Sequence, residues 1–357
     1  MMRVGIDTQI AAVSRAGIGH FTAMVARALP QVDTDATYIP FCPSPVKDFS
    51  MPQRWWWDQV TVPGLARHEH VDVLLKPAFS CPMRSSVPTV VIVQDLAARK
   101  FPRQVHRPSA WFYGRWLPWT LRFATRIIAI SEYTADEITR ELGVAREKIS
   151  VVTQGVAMDD VVPNPQDAGL LGSLGLAQKK FILHVGTIEP RKNLAFLVRT
   201  FAKFHTKYPN YVLVLAGADG WLSKDVHDVV ASRGLADNVV FTGSIAEDLK
   251  FALLRAARVL AFPSLYEGFG RPPLEAMACG TPVVAACTSS VPEVVGDAGI
   301  LLTGYDEGEW VRSLETAAED DGTRARLVPA GIARSKGFTW ERAAQQIADI
   351  LHSVAHE

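Results

Sequence analysis

Glu267 and Glu275 stand eight positions apart, separated by a Gly-x-Gly loop and the step Pro272-Pro273. Short apolar runs flank them, Val259 to Phe262 before and Val283 to Ala286 after, which reads as strand, loop, helix, strand. Pro272 or Pro273 suits a first helical position, where no N–H is needed. Gly280 suits the position just past the helix end, and Pro282 prevents continuation. Backbone N–H groups near Phe269, Gly270 and Arg271 then point out of the helix start, which favours an anion. Glu267 precedes that anion site, and Glu275 is expected on the first turn of the helix. Two carboxylates around an anion pocket suit a ligand with both a diphosphate and several hydroxyls. A nucleotide-sugar is such a ligand.

Other residues offer chemistry with an ordinary alternative beside it. Arg191 and Lys192 lie in the run His184 to Asn193, which ends a strand and opens a helix. Two cations there can neutralise a diphosphate that gains charge as it leaves, or can form a solvated basic turn. Gly17 and Gly19 follow the first strand and precede a helix. They permit close backbone approach to a phosphate, or simply a tight turn. Gln94 and Asp95 end the strand Thr89 to Val93, where Asp95 can accept a substrate hydroxyl or cap a turn. The segment Leu96 to Ile130 holds seven Arg or Lys and no Asp or Glu. It also carries Trp111, Phe112, Tyr113, Trp116, Trp119 and Phe123. Such a mixture suits an anionic membrane face, unless the aromatics are core and the arginines solvated. It speaks only weakly for single-stranded nucleic acid, and no nucleic-acid partner is expected. Trp55-Trp56-Trp57 is a further aromatic candidate. The nine histidines show no metal-binding spacing beside a carboxylate, and no G-x-S-x-G or Walker loop occurs, so no metal is expected.

The elements that must position these residues alternate. Strands are predicted at Arg3–Asp7, Val71–Leu75, Thr89–Val93, Arg126–Ile130 and Ile149–Val152, with a helix from about His20 to Leu29. Ser131 to Leu142 has a Ser N-cap and helical apolar spacing, and ends at Gly143. From about Ala157 to Lys180 the periodicity fades among Pro and Gly, as in an interdomain linker. Strands resume at Phe181–Val185, Tyr211–Ala216, Asn238–Thr242, Arg258–Phe262 and Thr281–Ala286. Helices are predicted at Leu194–Tyr208, Asp225–Arg233, Glu247–Ala256 and Pro273–Cys279. Two α/β units with parallel sheets follow, with ligands expected at strand C-termini in a shared cleft. Trp340 to His356 reads as a tail helix.

The bulk numbers agree. A length of 357 residues favours two domains. Lys plus Arg equals Asp plus Glu at 37 each, so net charge points to no partner. Four cysteines without C-x-x-C spacing read as free thiols in a reducing compartment. The charged Asp7 cuts short the first apolar run, unlike a signal peptide, and no apolar run approaches a transmembrane length.

In order along the chain, Gly186-Thr-Ile-Glu-Pro-Arg-Lys-Asn193, Phe262-Pro-Ser-Leu-Tyr-Glu-Gly-Phe-Gly270, Leu274-Glu-Ala-Met-Ala-Cys-Gly-Thr-Pro-Val283 and Ser289-Ser-Val-Pro-Glu-Val-Val-Gly-Asp-Ala298 resemble the retaining glycosyltransferases of family 4. The match is closest to bacterial mannosyltransferase-like members that build polysaccharides on lipid carriers, and it covers nearly the whole chain. The resemblance implies a GT-B fold, two Rossmann-like domains facing across a cleft. Residues 1–165 would bind the acceptor and 166–357 the nucleotide-sugar, with helix 340–357 packing on the N-terminal domain. It implies that Glu275 holds the ribose hydroxyls and Glu267 addresses the donor sugar. Lys192 would meet the diphosphate, with Gly17 and Gly19 approaching it from the other domain. Phe269, Gly270 and Arg271 would hold sugar and phosphate by their N–H groups, Gly186 and Thr187 would line the donor site, and Thr242, Gly243 and Ser244 would sit near the base. Gln94 and Asp95 fall on the acceptor or sugar side.

Three positions depart from the family pattern. Thr187 replaces an arginine, for which Arg191 or Arg271 can substitute. Arg271 replaces an apolar residue and can reach phosphate or a charged sugar. Gln94 replaces a histidine that often meets the donor sugar. The implied activity is metal-independent retaining transfer of a hexose from GDP-mannose to a glycan or polyprenyl-diphosphate-linked acceptor. UDP-glucose, another UDP-sugar and GDP-fucose stay open as donors, and a nucleotide-sugar 2-epimerase or a silent scaffold are the other classes. The expected place is the cytoplasm, with docking on the inner face of the plasma membrane as an option.

Overall fold

A computed structural model describes residues 1–14, 17–78, 80–102 and 111–355. It divides into two compact units, Met1–Gly155 with Phe338–Glu357, and Val156–Gly337.

The first unit carries a six-stranded sheet of β1 (Met2–Asp7), β2 (Ala36–Phe41), β3 (Val73–Lys76), β4 (Thr89–Val93), β5 (Arg126–Ala129) and β6 (Ile149–Val151). Every pairing is parallel, in the order β2-β1-β3-β4-β5-β6. β3 and β4 are buried at every position, as continuous apolar runs are when helices cover both sheet faces. The sequence reading missed β2. Pro40 breaks its strand signal, yet an edge strand tolerates proline because one side of its backbone needs no partner. Helix α1 (Ile18–Val32) extends beyond the predicted span at both ends. Glu132–Leu142 forms as expected, with Ser131 Oγ accepting the Thr134 N–H and Gly143 left-handed at the end. The last helix of this unit, Trp340–Ala355, lies on α1, where the Phe21 and Trp340 rings meet edge-on at 5.7 Å. Gly155 passes so close to it that a Cβ there would lie 2.3 Å from Trp340 N. Residues 356–357 of the expected tail helix lie outside the described residues.

The second unit repeats the plan with β7 (Lys180–Val185), β8 (Tyr211–Ala216), β9 (Val239–Phe241), β10 (Val259–Phe262), β11 (Val283–Ala286) and β12 (Ile300–Leu302). The order is β12-β11-β10-β7-β8-β9, again all parallel. The chain winds outward from β7 to β9, then restarts beside β7 with β10. Between β7 and β10 the winding reverses, and such points open a crevice at the strand C-termini. Three helices matter for the site: α2 (Leu194–Lys207), α3 (Glu247–Ala256) and α4 (Arg271–Ala278).

The sequence reading sets the domain boundary at 165/166, whereas the two units divide at 155/156. Arg255 accounts for the difference. It grips the Asp167 carboxylate at 2.6 and 2.7 Å and also bonds the Asp160 carbonyl, which ties the linker to α3. The linker also contains a helix of its own, Asp167–Ser173.

Candidate active site

At the β7/β10 reversal the structure brings together Arg191, Lys192 and Glu267 of the second unit. After β7 the chain turns through Pro190–Lys192 and enters α2 from a left-handed Asn193. After β10 it runs through Glu267 to Gly270, which starts α4 at φ +106°. The Leu265 N–H donates to the Arg191 carbonyl at 2.8 Å and ties the two loops together. Lys192 Nζ donates to Glu267 Oε1 at 2.5 Å, and Arg191 Nη1 to Glu267 Oε2 at 3.1 Å. Each carboxylate oxygen thus holds one cation. Arg191 also bonds the Tyr266 carbonyl and Glu189.

Burial alone would push the Glu267 carboxyl up, but Lys192 and Arg191 outweigh it and hold it down at about 2. Burial, with Arg191 close by, lowers Lys192 against the pull of Glu267. Two residues missed by the sequence reading fix the Glu267 peptide. Ser289 Oγ accepts its N–H at 2.8 Å, and Ser290 Oγ donates to its carbonyl at 2.9 Å. Ser289 sits at φ +47°, a left-handed conformation that costs a serine energy and recurs at functional sites.

A third missed residue is His184, fully buried and stacked on Phe262 with centroids 5.7 Å apart. Its Nδ1 lies 3.0 Å from the Ala261 carbonyl, which only accepts, so Nδ1 carries the proton. Burial and the Lys192 charge push the ring down to about 4, so it is neutral. Gly186 leaves room here, because a Cβ would lie 3.3 Å from Lys192 Cε and 3.4 Å from His184 Nε2.

Helix α4 begins at Arg271, with Pro272 and Pro273 inside its first turn. Glu275 is therefore the fifth helical residue, two positions further in than the predicted start at Pro273 would place it. It is buried, and its Oε1 takes Lys250 Nζ at 2.8 Å and Arg271 Nε at 3.2 Å. Arg271 is thus turned onto the glutamate of its own helix, at i,i+4 spacing. Phe269 and Gly270 are buried at the helix start, and Thr187 is exposed. Thr242, Gly243 and Ser244 follow β9, and Gly243 pairs with Gly217 of the loop after β8. Among the described residues no three His, Cys, Asp or Glu side chains gather as a metal would need.

Gly17, Gly19, Gln94 and Asp95 belong to the first unit. The two glycines differ. Gly17 has φ +51° and no described atom within 4 Å of a Cβ position, whereas a Cβ on Gly19 would lie 1.9 Å from the Ser14 carbonyl. Gly19 is thus required by the chain's own packing, since any side chain there would meet the Ser14 carbonyl. Asp95 Oδ1 accepts the Ala97 N–H at 2.9 Å, the turn cap weighed as the alternative. Gln94 is buried with its Nε2 unpaired among the described residues.

At the C-terminal ends of β1 and β3, where this first sheet also reverses, lies a buried cluster absent from the sequence reading. Lys76 Nζ bonds Asp7 and Asp58, the latter at 2.7 Å. Arg54 stands 3.9 Å from Asp7 and 3.7 Å from Asp58. Trp57 Nε1 donates to Asp7 at 3.2 Å.

Residues 173–334 match the family described as "Glycosyl transferases group 1", and residues 12–160 match "Glycosyltransferase Family 4". The chain is 32% identical over 278 residues to O-antigen chain mannosyltransferase B of Escherichia coli, covering 76% of this chain and 71% of that protein. It is also 32% identical over 292 residues to D-inositol 3-phosphate glycosyltransferase of Streptomyces avermitilis, covering 79% of this chain but 62% of that longer protein. Anabaena HepE, crystallised with UDP and glucose, superposes with a TM-score of 0.76 at 21% identity over 99% of this chain and 100% of that one. WaaG, a glycosyltransferase involved in lipopolysaccharide biosynthesis, gives 0.74 at 16% identity over 98% and 99%. These two likenesses establish the GT-B fold, and the two family matches cover the two halves in order. Together with the mannosyltransferase relative, they show that this chain belongs to the family 4 glycosyltransferases.

Proposed function

We propose that this enzyme transfers a hexose from a nucleotide diphosphate sugar, GDP-mannose first among them, to a glycan or polyprenyl-diphosphate-linked acceptor. The observation that carries this reading is the grip of Glu267 on Lys192 and Arg191, in a chain whose relative is a mannosyltransferase. The leaving diphosphate gains charge as the sugar bond breaks, and Lys192 and Arg191 are placed to stabilise it. Thr187 supplies no charge; Arg191 is held by Glu189 and Glu267 and Arg271 by Glu275, and either arginine can stand in for the missing one. Glu267 faces the donor sugar, and Glu275 faces the ribose. The acceptor hydroxyl attacks on the face the diphosphate leaves, that diphosphate takes its proton, and the configuration is retained. Two cations at the leaving group make a divalent metal unnecessary.

The test is a donor screen with GDP-mannose, GDP-fucose, UDP-glucose and other UDP-sugars, in EDTA. Turnover with GDP-mannose that persists in EDTA is expected. Preference for another donor would overturn the mannose assignment, and strict metal dependence the mechanism. Sugar scrambling without acceptor would indicate an epimerase. No donor turnover at all would leave only a binding scaffold.

The acceptor side of the proposal includes an anionic membrane. Support comes from the segment 96–130, of which 103–110 lie outside the described residues. Trp111 and Trp119 are 58% and 40% exposed, and Arg115, Arg122 and Phe123 are exposed beside them, while Phe112 is buried. These five exposed positions recur at helical spacing, so one face carries both charge and aromatics. Trp55 and Trp56 are also exposed, but Trp57 is core. No helix among the described residues is long and apolar enough to cross a membrane. Flotation with phosphatidylglycerol vesicles at low salt is expected to carry the protein upward, and Trp111→Ala with Trp119→Ala to weaken it. Absence of binding at low salt would remove the membrane from the proposal.

A further inference from the structure

Glu275 is not an isolated carboxylate. Lys250, on α3, is buried and reaches across to it, and the same ammonium holds Glu247 Oε2 at 2.6 Å one turn back along its own helix. The same ammonium also lies 4.6 Å from the centroid of the Phe251 ring, a cation–π contact. From the other side Arg271 Nε approaches at 3.2 Å, so both cations meet on the single oxygen Oε1. The chain of contacts runs Glu247, Lys250, Glu275, Arg271, and joins two helices. Asp160 lies close enough that burial, Glu247, Glu275 and its neighbour Asp159 together raise its carboxyl. The surroundings are thus rich in acid, and Lys250 is the buried cation among them.

This arrangement has a consequence for selectivity. A carboxylate that must accept hydrogen bonds from sugar hydroxyls has to be charged and has to hold one orientation. Burial works against the charge, and a free side chain torsion works against the orientation. Lys250 and Arg271 counter both by fixing Oε1. We infer that Lys250 is a positioning residue for ribose recognition, acting through Glu275 to set how strongly the enzyme prefers a ribonucleotide to its deoxy form. The inference rests on the reading that Glu275 faces the ribose. Lys250 itself touches no part of the donor in this scheme. Its removal therefore weakens binding only as far as the ribose hydroxyls contribute.

The experiment measures the Kd of GDP or UDP, whichever binds more tightly, and of its 2′-deoxy and 3′-deoxy forms. Wild type, Glu275→Gln, Lys250→Met and Lys250→Arg are compared by titration calorimetry. A hydrogen bond to a charged acceptor leads us to expect wild type to favour the ribonucleotide by about tenfold over at least one deoxy form. Glu275→Gln and Lys250→Met should both bring that ratio close to one, chiefly by weakening the ribonucleotide, and Lys250→Arg should restore most of it. A general loss of structure would weaken ribo and deoxy forms alike and leave the ratio standing, which overturns the inference. So does a ratio lost in Glu275→Gln but kept in Lys250→Met, and here the ribose reading survives. If wild type shows no preference for either hydroxyl, the ribose reading fails and Lys250 loses its role with it. Should Lys250→Met not fold, Lys250→Arg against Arg271→Met decides: a ratio kept in Lys250→Arg and reduced in Arg271→Met supports the clamp on Oε1, and a ratio unchanged in Arg271→Met overturns it.

Discussion

Lys192→Met and Glu267→Gln should each lower kcat/KM by about 10²–10³-fold, the scale seen when one preorganised electrostatic group is removed from an active site. The two losses should differ in kind. In the proposed function Lys192 meets the diphosphate both bound and leaving, so its removal should raise the donor KM and lower kcat. Glu267 holds Lys192 and Arg191 in place, one on each oxygen. An amide keeps its shape but offers one oxygen and no charge, so Glu267→Gln should fall mainly on kcat. The two effects should not add, because the groups act as one unit. Steady-state kinetics on both single variants and the double variant would check this, with circular dichroism to confirm folding. Values within about threefold of wild type would remove these residues from the reaction.

The same pair sets a pH limit. The Glu267 carboxyl is held down at about 2 in the folded protein, below its ordinary 4.5. The stability it contributes is therefore complete above the ordinary carboxylate value. It is lost as pH falls from there toward 2. Acid should therefore loosen this loop pair as pH falls through that window, when Glu267 takes up a proton and releases Lys192 and Arg191.

What could be read from sequence follows from how local each signal is. Glu267, Gly270 and Glu275 lie within one strand-loop-helix step, and the caps and prolines there announce the geometry. The helix Glu132–Leu142 was legible for the same reason, with its serine at one end and glycine at the other. The partners of Glu267 are different. Lys192 reaches it only because β7 lies beside β10, a neighbour relation made by a reversal of sheet order and invisible in any short window. Ser289 and Ser290 open a run that carries the family resemblance, but their bonds to the Glu267 peptide depend on the fold, and nothing around Lys250 marks it. Gly19 shows a different kind of hidden signal. A glycine after a first strand looks like a phosphate loop, but the close approach of the Ser14 carbonyl by itself requires a glycine here, a packing demand no short window reveals. Lys76 did leave a signal, a charge closing the buried run Val73-Leu-Leu-Lys76. A charge directly at the end of a fully buried strand needs a partner, and the fold supplies Asp7 and Asp58.

Lys76→Met should be among the most destabilising single changes in the first unit. Lys76 is fully buried and bonds two carboxylates that are themselves buried. Burial alone would lower Lys76 and raise Asp7, but in each case the partners prevail, so Lys76 is raised and Asp7 lowered. Removing the lysine leaves Asp7 and Asp58 facing each other with Arg54 alone, a loss of about 3–5 kcal/mol for a broken buried pair. For a unit of this size, that corresponds to a fall in melting temperature of roughly 10 °C. Lys76→Met with Asp58→Asn should recover part of it, since the second change removes the uncompensated charge. The pH dependence follows from the two directions. The Asp7 contribution is present above the ordinary aspartate value and lost as pH falls through its lowered one. The Lys76 contribution is present below the ordinary lysine value and lost only as pH rises through its raised one. Across the neutral range the network is fully formed, so the difference between wild type and Lys76→Met should be flat there and shrink only in acid or strong alkali. Thermal unfolding by near-ultraviolet circular dichroism across pH would measure it. An unchanged melting temperature at neutral pH would mean that Arg54 alone balances both carboxylates, and that the lysine at the end of β3 is not what holds β1 and Trp57–Thr61 in register at this reversal.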